Sequence, residues 1–391
     1  MLNTSFSPWP SYSAEEADAV SAVLLSNKVN YWTGEEGRAF EKEFAKWCKA
    51  NYAIAVSNGT VALDLALLGL DLPKGGEVIV TSRTFIASIS SIVNAGLIPV
   101  FADVDTDTQN ITADTIAEVI SPRTCAVMCV HLAGLACDMD PILSLAKDNN
   151  LAVIEDCAQA HGAEYKGTPV GTLGDVGCWS FCQDKIMTTG GEGGMITTDN
   201  EALWKKVWSL KDHGKSWDKV HSNSNSKGFR WLHDSFGTNG RMTEMQAAIG
   251  RLQLLKMPAW QSSRTENAEK ILSACEKLRG LYVPRFSSDY KHAWYKCYVY
   301  VCQEQLKPGW SRDRILSEIV ECDVPCFTGS CSEVYLEEAF VGSGFAPTQS
   351  LPGAKQLGES SLMFLVHPTL LPSEIDQTIE AINRVMREAA I

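Results

Sequence analysis

No apolar run in the 391-residue sequence reaches the roughly 20 residues that a membrane-crossing helix needs. The opening MLNTSFSPWPSYSAEEADAV also lacks the basic start and apolar core of a secretion signal. Positive charge is in short supply. Thirty-four Lys and Arg stand against 47 Asp and Glu, a formal net charge of −13, which argues against a nucleic-acid-binding surface. A small anionic ligand stays open, because a local pocket can be positive on an acidic protein. The 13 cysteines, from Cys48 to Cys331, show no paired metal-type spacing. An odd, scattered set in a chain of this size reads as reduced thiols of a cytoplasmic protein. Cys178 and Cys182 are close in sequence, but zinc would need two further ligands that the sequence does not offer, so no metal is expected. Internal repeats are absent.

What remains is the composition of a soluble globular enzyme: 45% hydrophobic, 21% charged, 29 glycines. From about Asn51 to Asp199, short β-branched runs (YAIAV, EVIVT, IPVF, CAVMCV, LAVIE, GCWSF, MITT) alternate with helix-like segments such as TVALDLALLGL and PILSLAKDNN. Continuous apolar strands separated by helices predict an α/β domain with a mostly parallel sheet covered on both faces. Residues 1–35 read as an arm along the main body, 36–257 as the large domain and 258–391 as a smaller α+β domain. HSNSNSKGFRWLHDSFGTNG, residues 221–240, reads as a long loop, a length usual for functional segments. The helix RMTEMQAAIGRLQLLKM follows, with Arg251 and Gln253 assigned to its exposed face. The terminal helix is expected to start at an N-cap Ser373 and to turn Ile375, Ile379, Ile382 and Val385 inward.

Three features carry chemistry. In AVSNGTVALDLAL a strand gives way at once to a helix. Glycine permits close approach there, and free N–H groups at the helix start can bind a phosphate; turn and cap is the simpler use of such a junction. Asp156, in LAVIEDCAQAHG, ends a buried strand at the sheet edge where open α/β sheets bind ligands; a helix cap is its simpler role. Lys185 follows another strand and precedes the loop Gly190-Gly191-Glu192-Gly193-Gly194. Pyridoxal phosphate uses all three: a phosphate, a ring nitrogen that must stay protonated, and an aldehyde that condenses with a lysine amine. A carboxylate a few ångström from the ring nitrogen contributes about 4 kcal/mol at an effective dielectric of 20. On this reading Lys185 is a nucleophile.

The segments YWTGEEGRAFEKEFA, SNGTVALDLAL, EVIVTSRTFIAS, EDCAQAHGAEYKGTPVGTLGDVGCWSF, DKIMTTGGEGGMITT and NGRMTEMQAAIGRLQL span nearly the whole chain. Together they resemble the nucleotide-sugar aminotransferases of the DegT/StrS family, which have the aspartate aminotransferase fold (PLP fold type I). The resemblance implies a large domain with a mixed, mostly parallel central sheet flanked by helices, and a smaller C-terminal α+β domain. It implies a homodimer with shared active sites, L-glutamate as amino donor, and a nucleoside-diphosphate keto sugar, ketone at C3 or C4, as acceptor. Amino sugars of lipopolysaccharide, O-antigen and other surface glycans, or of antibiotics, are the products of this family.

Carried over by residue, Lys185 and Asp156 are catalytic. Lys185 binds the cofactor covalently and shuttles the proton; Asp156 pairs with the ring nitrogen. Gln159 would bond the 3′-oxygen and Phe85 would stack on the ring, although Phe85 read alone is a core residue. Gly59, Thr60 and Ser180 would hold the phosphate, and Asn239 would reach the neighbouring subunit's phosphate, with Arg241 near the same shared site. His131, His161, His213 and Tyr31 are possible sugar contacts, with core roles as the alternative. The glycine loop carries one residue more than the family pattern. Dehydratases of the family replace the lysine with histidine, so Lys185 argues against them. A small cyclic ketone as acceptor, or a regulator that binds pyridoxal phosphate or nucleotide without turnover, are the alternatives.

Overall fold

The computed structural model describes residues 5–222 and 230–391. Seven strands build the main sheet: β1 (Tyr52–Val56), β2 (Glu77–Thr81), β3 (Ile98–Ala102), β4 (Thr124–Val130), β5 (Ala152–Asp156), β6 (Val176–Ser180) and β7 (Gly194–Thr198). They lie in the order β1-β7-β6-β5-β4-β2-β3. Only β7 is reversed, antiparallel to both β1 and β6. The other neighbours pair in parallel.

Strand alternation sorts side chains into two cores. Ile54, Val56, Val78, Val80, Met128 and Ile154 face α3 (Gly59–Gly69), α4 (Ala87–Asn94) and α6 (Glu201–Lys211). Ala53, Ala55, Ile79, Val127 and Val153 face α2 (Glu36–Cys48), α5 (Met139–Asp148) and the long α7 (Glu244–Cys275). Burial on both faces explains why these strands read as unbroken apolar runs. The N-terminal helix α1 (Ala14–Ser26) lies against α7. No helix of the described residues is long and apolar enough to cross a membrane.

A second sheet uses β8 (Leu281–Tyr282), β9 (Cys297–Val301), β10 (Cys326–Phe327) and β11 (Ser361–Phe364) in the order β8-β9-β11-β10, all antiparallel. With α8 (Arg312–Val320) and α9 (Pro372–Ala389) it encloses its own core, including Ile315, Ile319, Leu362, Phe364 and Ile382.

Three sequence expectations need correction. The helix expected to end near Met257 runs through Pro258 to Cys275. Pro258 forfeits one main-chain bond, yet Met257 before it and Arg264, Ala268 and Ile271 after it are all buried. The division at residue 257 therefore falls inside a helix. Gln253 is not on the exposed face: it is buried, and its Oε1 accepts from Thr188 N at 3.0 Å. Two residues apart means about 200° around a helix, so Arg251 and Gln253 face opposite ways. Ser373 is not the N-cap, because α9 begins at Pro372 with Leu371 as its N-cap, and proline is favoured at a first helical position where its missing N–H costs no bond. Ile375, Ile382 and Val385 are buried as expected, with Ile379 packed partly against them. Residues 223–229 of the Ser/Asn-rich loop lie outside the described residues.

Arg83 joins the two sheets. It is fully buried with only neutral partners: Nε donates to Gln109 Oε1 at 3.0 Å, Nη1 to Ser332 Oγ at 2.8 Å and Nη2 to Ser361 Oγ at 2.9 Å. The same junction carries bonds from Ser82 Oγ to Ser332 O and from Val334 N to Ser82 O. Arg83→Met should cost about 2–4 kcal/mol by stranding these acceptors. Chemical denaturation monitored by far-ultraviolet dichroism checks this; an unchanged midpoint would contradict it.

Candidate active site

The parallel strands all end at one edge of the sheet, and the predicted site residues gather there. β1 ends at Val56, and Asn58 caps α3 by accepting from Val61 N through Oδ1 at 2.9 Å. The cap serves Val61 and leaves the Gly59 and Thr60 N–H groups open at the helix start. Gly59 cannot carry a side chain: an added Cβ would lie 2.6 Å from the Ser180 Cβ. Gly194 is equally constrained, its Cβ position being 2.4 Å from Asn58 O. Gly59, Ser180 and Gly194 thus let the ends of β1, β6 and β7 converge on one small cradle.

Asp156 is almost completely buried at the end of β5. Its Oδ2 accepts from Ser88 Oγ at 2.8 Å and its Oδ1 from Ala158 N at 3.1 Å. Burial pushes its pKa up. The two hydrogen bonds and the charge of Lys185 oppose that without cancelling it. Among the described residues it forms no ion pair, and its hydrogen bonds come from Ser88 and the Ala158 amide. Gln159 Oε1 accepts from Ala133 N at 2.8 Å, which turns the amide NH2 the other way as a donor. Phe85 is 69% exposed, so its core reading is overturned. A large aromatic ring is left open two residues from Arg83, on the turn that leads to Ser88.

Lys185 is 16% exposed, with Nζ 3.6 Å from Asp184 Oδ1 and 5.1 Å from the centroid of the Tyr295 ring. Tyr295 donates its hydroxyl to Asp184 Oδ2 at 2.6 Å. The charge of Lys185 is the main influence holding the Asp184 carboxyl below its usual range against the opposing effect of burial. The main chain is held too. Trp9 Nε1 donates to Lys185 O at 2.8 Å, while the Trp9 ring packs edge-on against Trp260 and stacks on His367. The arm is tied to the small sheet's side by Ser7 N to Glu374 Oε1 at 2.6 Å and Thr369 Oγ1 to Pro8 O at 2.8 Å. Nothing in the sequence marked Trp9, since its partner lies 176 residues away.

The glycine loop reverses the chain with positive φ at Gly190 and Gly191, 87° and 125°. It is anchored by Thr189 Oγ1 and Gln246 Nε2, which both donate to Glu192 O. Asn239 and Arg241 flank Gly240, whose carbonyl accepts from Ser57 N at 2.8 Å, directly before the cradle. Arg241 Nη1 donates to Asp212 Oδ1 at 2.6 Å. Asn239 is exposed, and so is Phe236, which is completely open to solvent.

Three of the four possible sugar contacts are core residues. Tyr31 is buried, donating to Glu41 Oε2 and accepting from Trp208 Nε1. His161 is buried beside Trp179 and Phe181, and burial pushes its pKa down to about 3. His131 accepts from Cys137 N through Nδ1 at 3.1 Å, so its Nε2 carries the proton and donates to Glu155 Oε2 at 2.9 Å. Only His213 is exposed. His131, Glu155 and Cys157 could pass for metal ligands, since their donor atoms lie within 4.8 Å of one another. The lone pairs are already in use, however. Glu155 accepts from Gly171 N, Leu173 N and Gly174 N as well as from His131. Burial holds the Cys157 thiol well above its usual pKa, in the protonated form that binds metal poorly. The trio fastens β5 to the 171–174 turn.

An anion cradle, an unpaired buried carboxylate, an open aromatic ring and an amine share one sheet edge, the arrangement of a fold type I aminotransferase. The chain belongs to the DegT/DnrJ/EryC1/StrS aminotransferase family, whose pattern matches residues 10–383. The crystal structure of an aminotransferase from Psychrobacter cryohalolentis superposes with a TM-score of 0.96 at 61% identity, covering 98% of this chain and 99% of that one. The spore coat polysaccharide biosynthesis protein SpsC of Bacillus subtilis is 33% identical over 97% of this chain and 96% of its own. GDP-perosamine synthase of Escherichia coli O157:H7 is 34% identical over 96% of each.

The folded pKa of Asp156 lies above the unfolded one, so its ionised form costs stability. The cost is absent below about pH 4 and grows as the pH rises toward the folded pKa. Cofactor-free Asp156→Asn should therefore melt above the cofactor-free wild type at pH 7, with the difference vanishing near pH 4. Calorimetric melting across that range decides it; an Asn variant that melts lower at pH 7 contradicts the account of Asp156.

Proposed function

We propose that this chain is a pyridoxal-phosphate-dependent aminotransferase that moves an amino group from L-glutamate to the ketone carbon of a nucleotide-linked keto-deoxy sugar, at C3 or C4, in amino-sugar biosynthesis for a surface glycan. The observation that carries the reading is the convergence of the Lys185 amine, the uncompensated Asp156 carboxylate and the open start of α3 on one edge of the sheet. The residues fit the cofactor: Gly59 lets the open start of α3 lie against Ser180, and the buried Asp156 carboxylate has no ion-pair partner among the described residues. Bound there, pyridoxal phosphate supplies a protonated ring that withdraws electrons from the substrate carbon.

The chain's own residues do the rest. Gly59 and Thr60 N–H groups and the Ser180 hydroxyl bind the phosphate. Asp156 faces the ring nitrogen, and pairing with that cation removes the penalty of its burial. Gln159 donates its free NH2 to the 3′-oxygen. Phe85 covers the ring face and keeps water away from it. Lys185 would hold the cofactor aldehyde through its amine. When free, its Nζ would take the proton from the donor carbon and hold it for return, with Asp184 and Trp9 fixing its range of motion. Transfer to the sugar ketone runs the same steps in reverse, so one amine serves as base and then as acid.

The active site is completed by a second copy of the chain. Asn239 reaches the neighbour's phosphate, with Arg241 beside it. The fully exposed Phe236 on the same segment is an aromatic side chain that a homodimer would cover. SpsC and GDP-perosamine synthase, by their names, serve polysaccharide and nucleotide-sugar synthesis, which supports a sugar as acceptor.

The purified protein should be yellow and should bleach when L-glutamate is added. Lys185→Ala should keep the cofactor but lose at least about 10⁴-fold in transamination, the scale of removing a positioned proton-transfer group. Stopped-flow absorbance with glutamate checks both. Turnover by Lys185→Ala within tenfold of wild type contradicts the proposed role.

A further inference from the structure

Beside Lys185 stands a second amine that the reaction just described does not use. Lys296 immediately precedes β9, and its Nζ lies 5.0 Å from the centroid of the Tyr295 ring, the ring that Lys185 Nζ approaches to 5.1 Å. The anion beside this ring is Asp184, and it is already engaged by Tyr295 and Lys185. Behind them is Arg264, fully buried on α7. Its Nη1 donates to Trp294 O at 3.2 Å, but its Nε and Nη2 have no hydrogen-bond partner. Neither Lys296 nor Arg264 has an ion-pair partner among the described residues. In a protein of net charge −13, three cations served by a single carboxylate form a local positive field around the Tyr295 ring.

A cation kept out of bulk water without a partner is costly, and such sites are kept where a ligand supplies the missing charge. The Lys296 pKa is pushed down to about 8, first by burial, then by the charge of Arg264; Asp184 opposes this without cancelling it, and Lys185 adds to the lowering. A carboxylate arriving at this amine would relieve all three effects and make a charge-assisted hydrogen bond. The Arg264 side chain is sealed from solvent and lies over the Trp9 ring at 5.1 Å, so it contributes field and not contact. Lys296 is half-buried, and of the two it is the one with access to solvent, with its Nζ beside the Tyr295 ring that Lys185 also approaches.

We propose that Lys296 is a carboxylate-binding residue of the active site, holding an acidic group of a substrate next to the Lys185 amine. The inference rests on the aminotransferase reading above and extends it to substrate recognition. The carboxylate belongs either to the dicarboxylic amino donor or to an acidic sugar on the acceptor nucleotide; the chemistry at Lys296 is the same for both.

The test compares wild type, Lys296→Met and Lys296→Arg as holoenzymes. The concentration of L-glutamate that half-saturates bleaching is measured first. The pyridoxamine form is then titrated with a keto-hexuronate nucleotide and with its neutral keto-hexose counterpart. Binding of glutarate, a dicarboxylate that cannot react, to the cofactor-free protein is measured by calorimetry as a readout independent of turnover. If the donor is held, Lys296→Met weakens both glutamate and glutarate about tenfold or more, while Lys296→Arg recovers part of the loss. If the acceptor is held, the hexuronate weakens by that factor, and glutamate and the neutral sugar stay within twofold. If none of these ligands shifts by more than twofold in Lys296→Met, the proposal is overturned. Should the Met variant not fold, Lys296→Gln is read in the same way. A wild type that no amino donor bleaches contradicts the aminotransferase reading itself. A wild type that bleaches with saturation indifferent to Lys296 contradicts this inference alone.

Discussion

A buried carboxylate without its cation is the constraint around which the rest of this structure is arranged. Asp156 could sit at the end of β5 more cheaply as an asparagine, since burial works against its charge. Ser88 and the Ala158 amide fix both of its oxygens, so the carboxylate cannot turn away to find water. Everything needed to repay that cost stands within the same sheet edge: an open helix start for a phosphate, an aromatic ring exposed where a core residue would be hidden, and a lysine. On the proposed function, a protonated ring bound at Asp156 recovers the stabilisation that the fold forgoes here.

The Lys185 amine depends on elements far apart in the chain. Lys185 follows β6 of the large sheet, yet its carbonyl is held by Trp9 from the arm, and its Nζ lies among Asp184 and Tyr295, the latter from the segment that enters β9. Arg83 then locks the Phe85 turn to the small sheet through Ser332 and Ser361. The two sheets thereby set the distance between the exposed Phe85 and Lys185. A displacement of either sheet would change the geometry of the amine as well as the shape of the cleft.

The strands were legible because the sheet is covered on both sides, which turns each strand into an unbroken apolar run bounded by turns. The proposed site residues stood out for a related reason: Gly59, Asp156, Ser180 and Lys185 each lie at or shortly after the end of such a strand. Local reasoning failed where packing overrode it. Phe85 looks like core in the apolar stretch TFIAS, but it points out of the sheet edge. Gln253 looks like a surface residue of α7, but its oxygen is needed at the Thr188 amide. Pro258 looks like the end of a helix whose neighbouring turns are held by burial. Tyr31, His131 and His161 were polar in sequence and internal in structure, because Glu41 and Glu155 or an aromatic cage receive them. Trp9 left no local signal. Lys296 left a faint one, a charged residue opening the fully buried strand CYVYV.

The central claim is a covalent bond between the Lys185 amine and the aldehyde of pyridoxal phosphate. Borohydride reduction of the yellow protein, followed by digestion and mass spectrometry, tests it most directly. The account predicts a pyridoxyl-phosphate adduct on the peptide that contains Lys185 and on no other lysine, Lys296 included. An unmodified Lys185 peptide from cofactor-saturated protein, or an adduct carried by Lys296 instead, would contradict it.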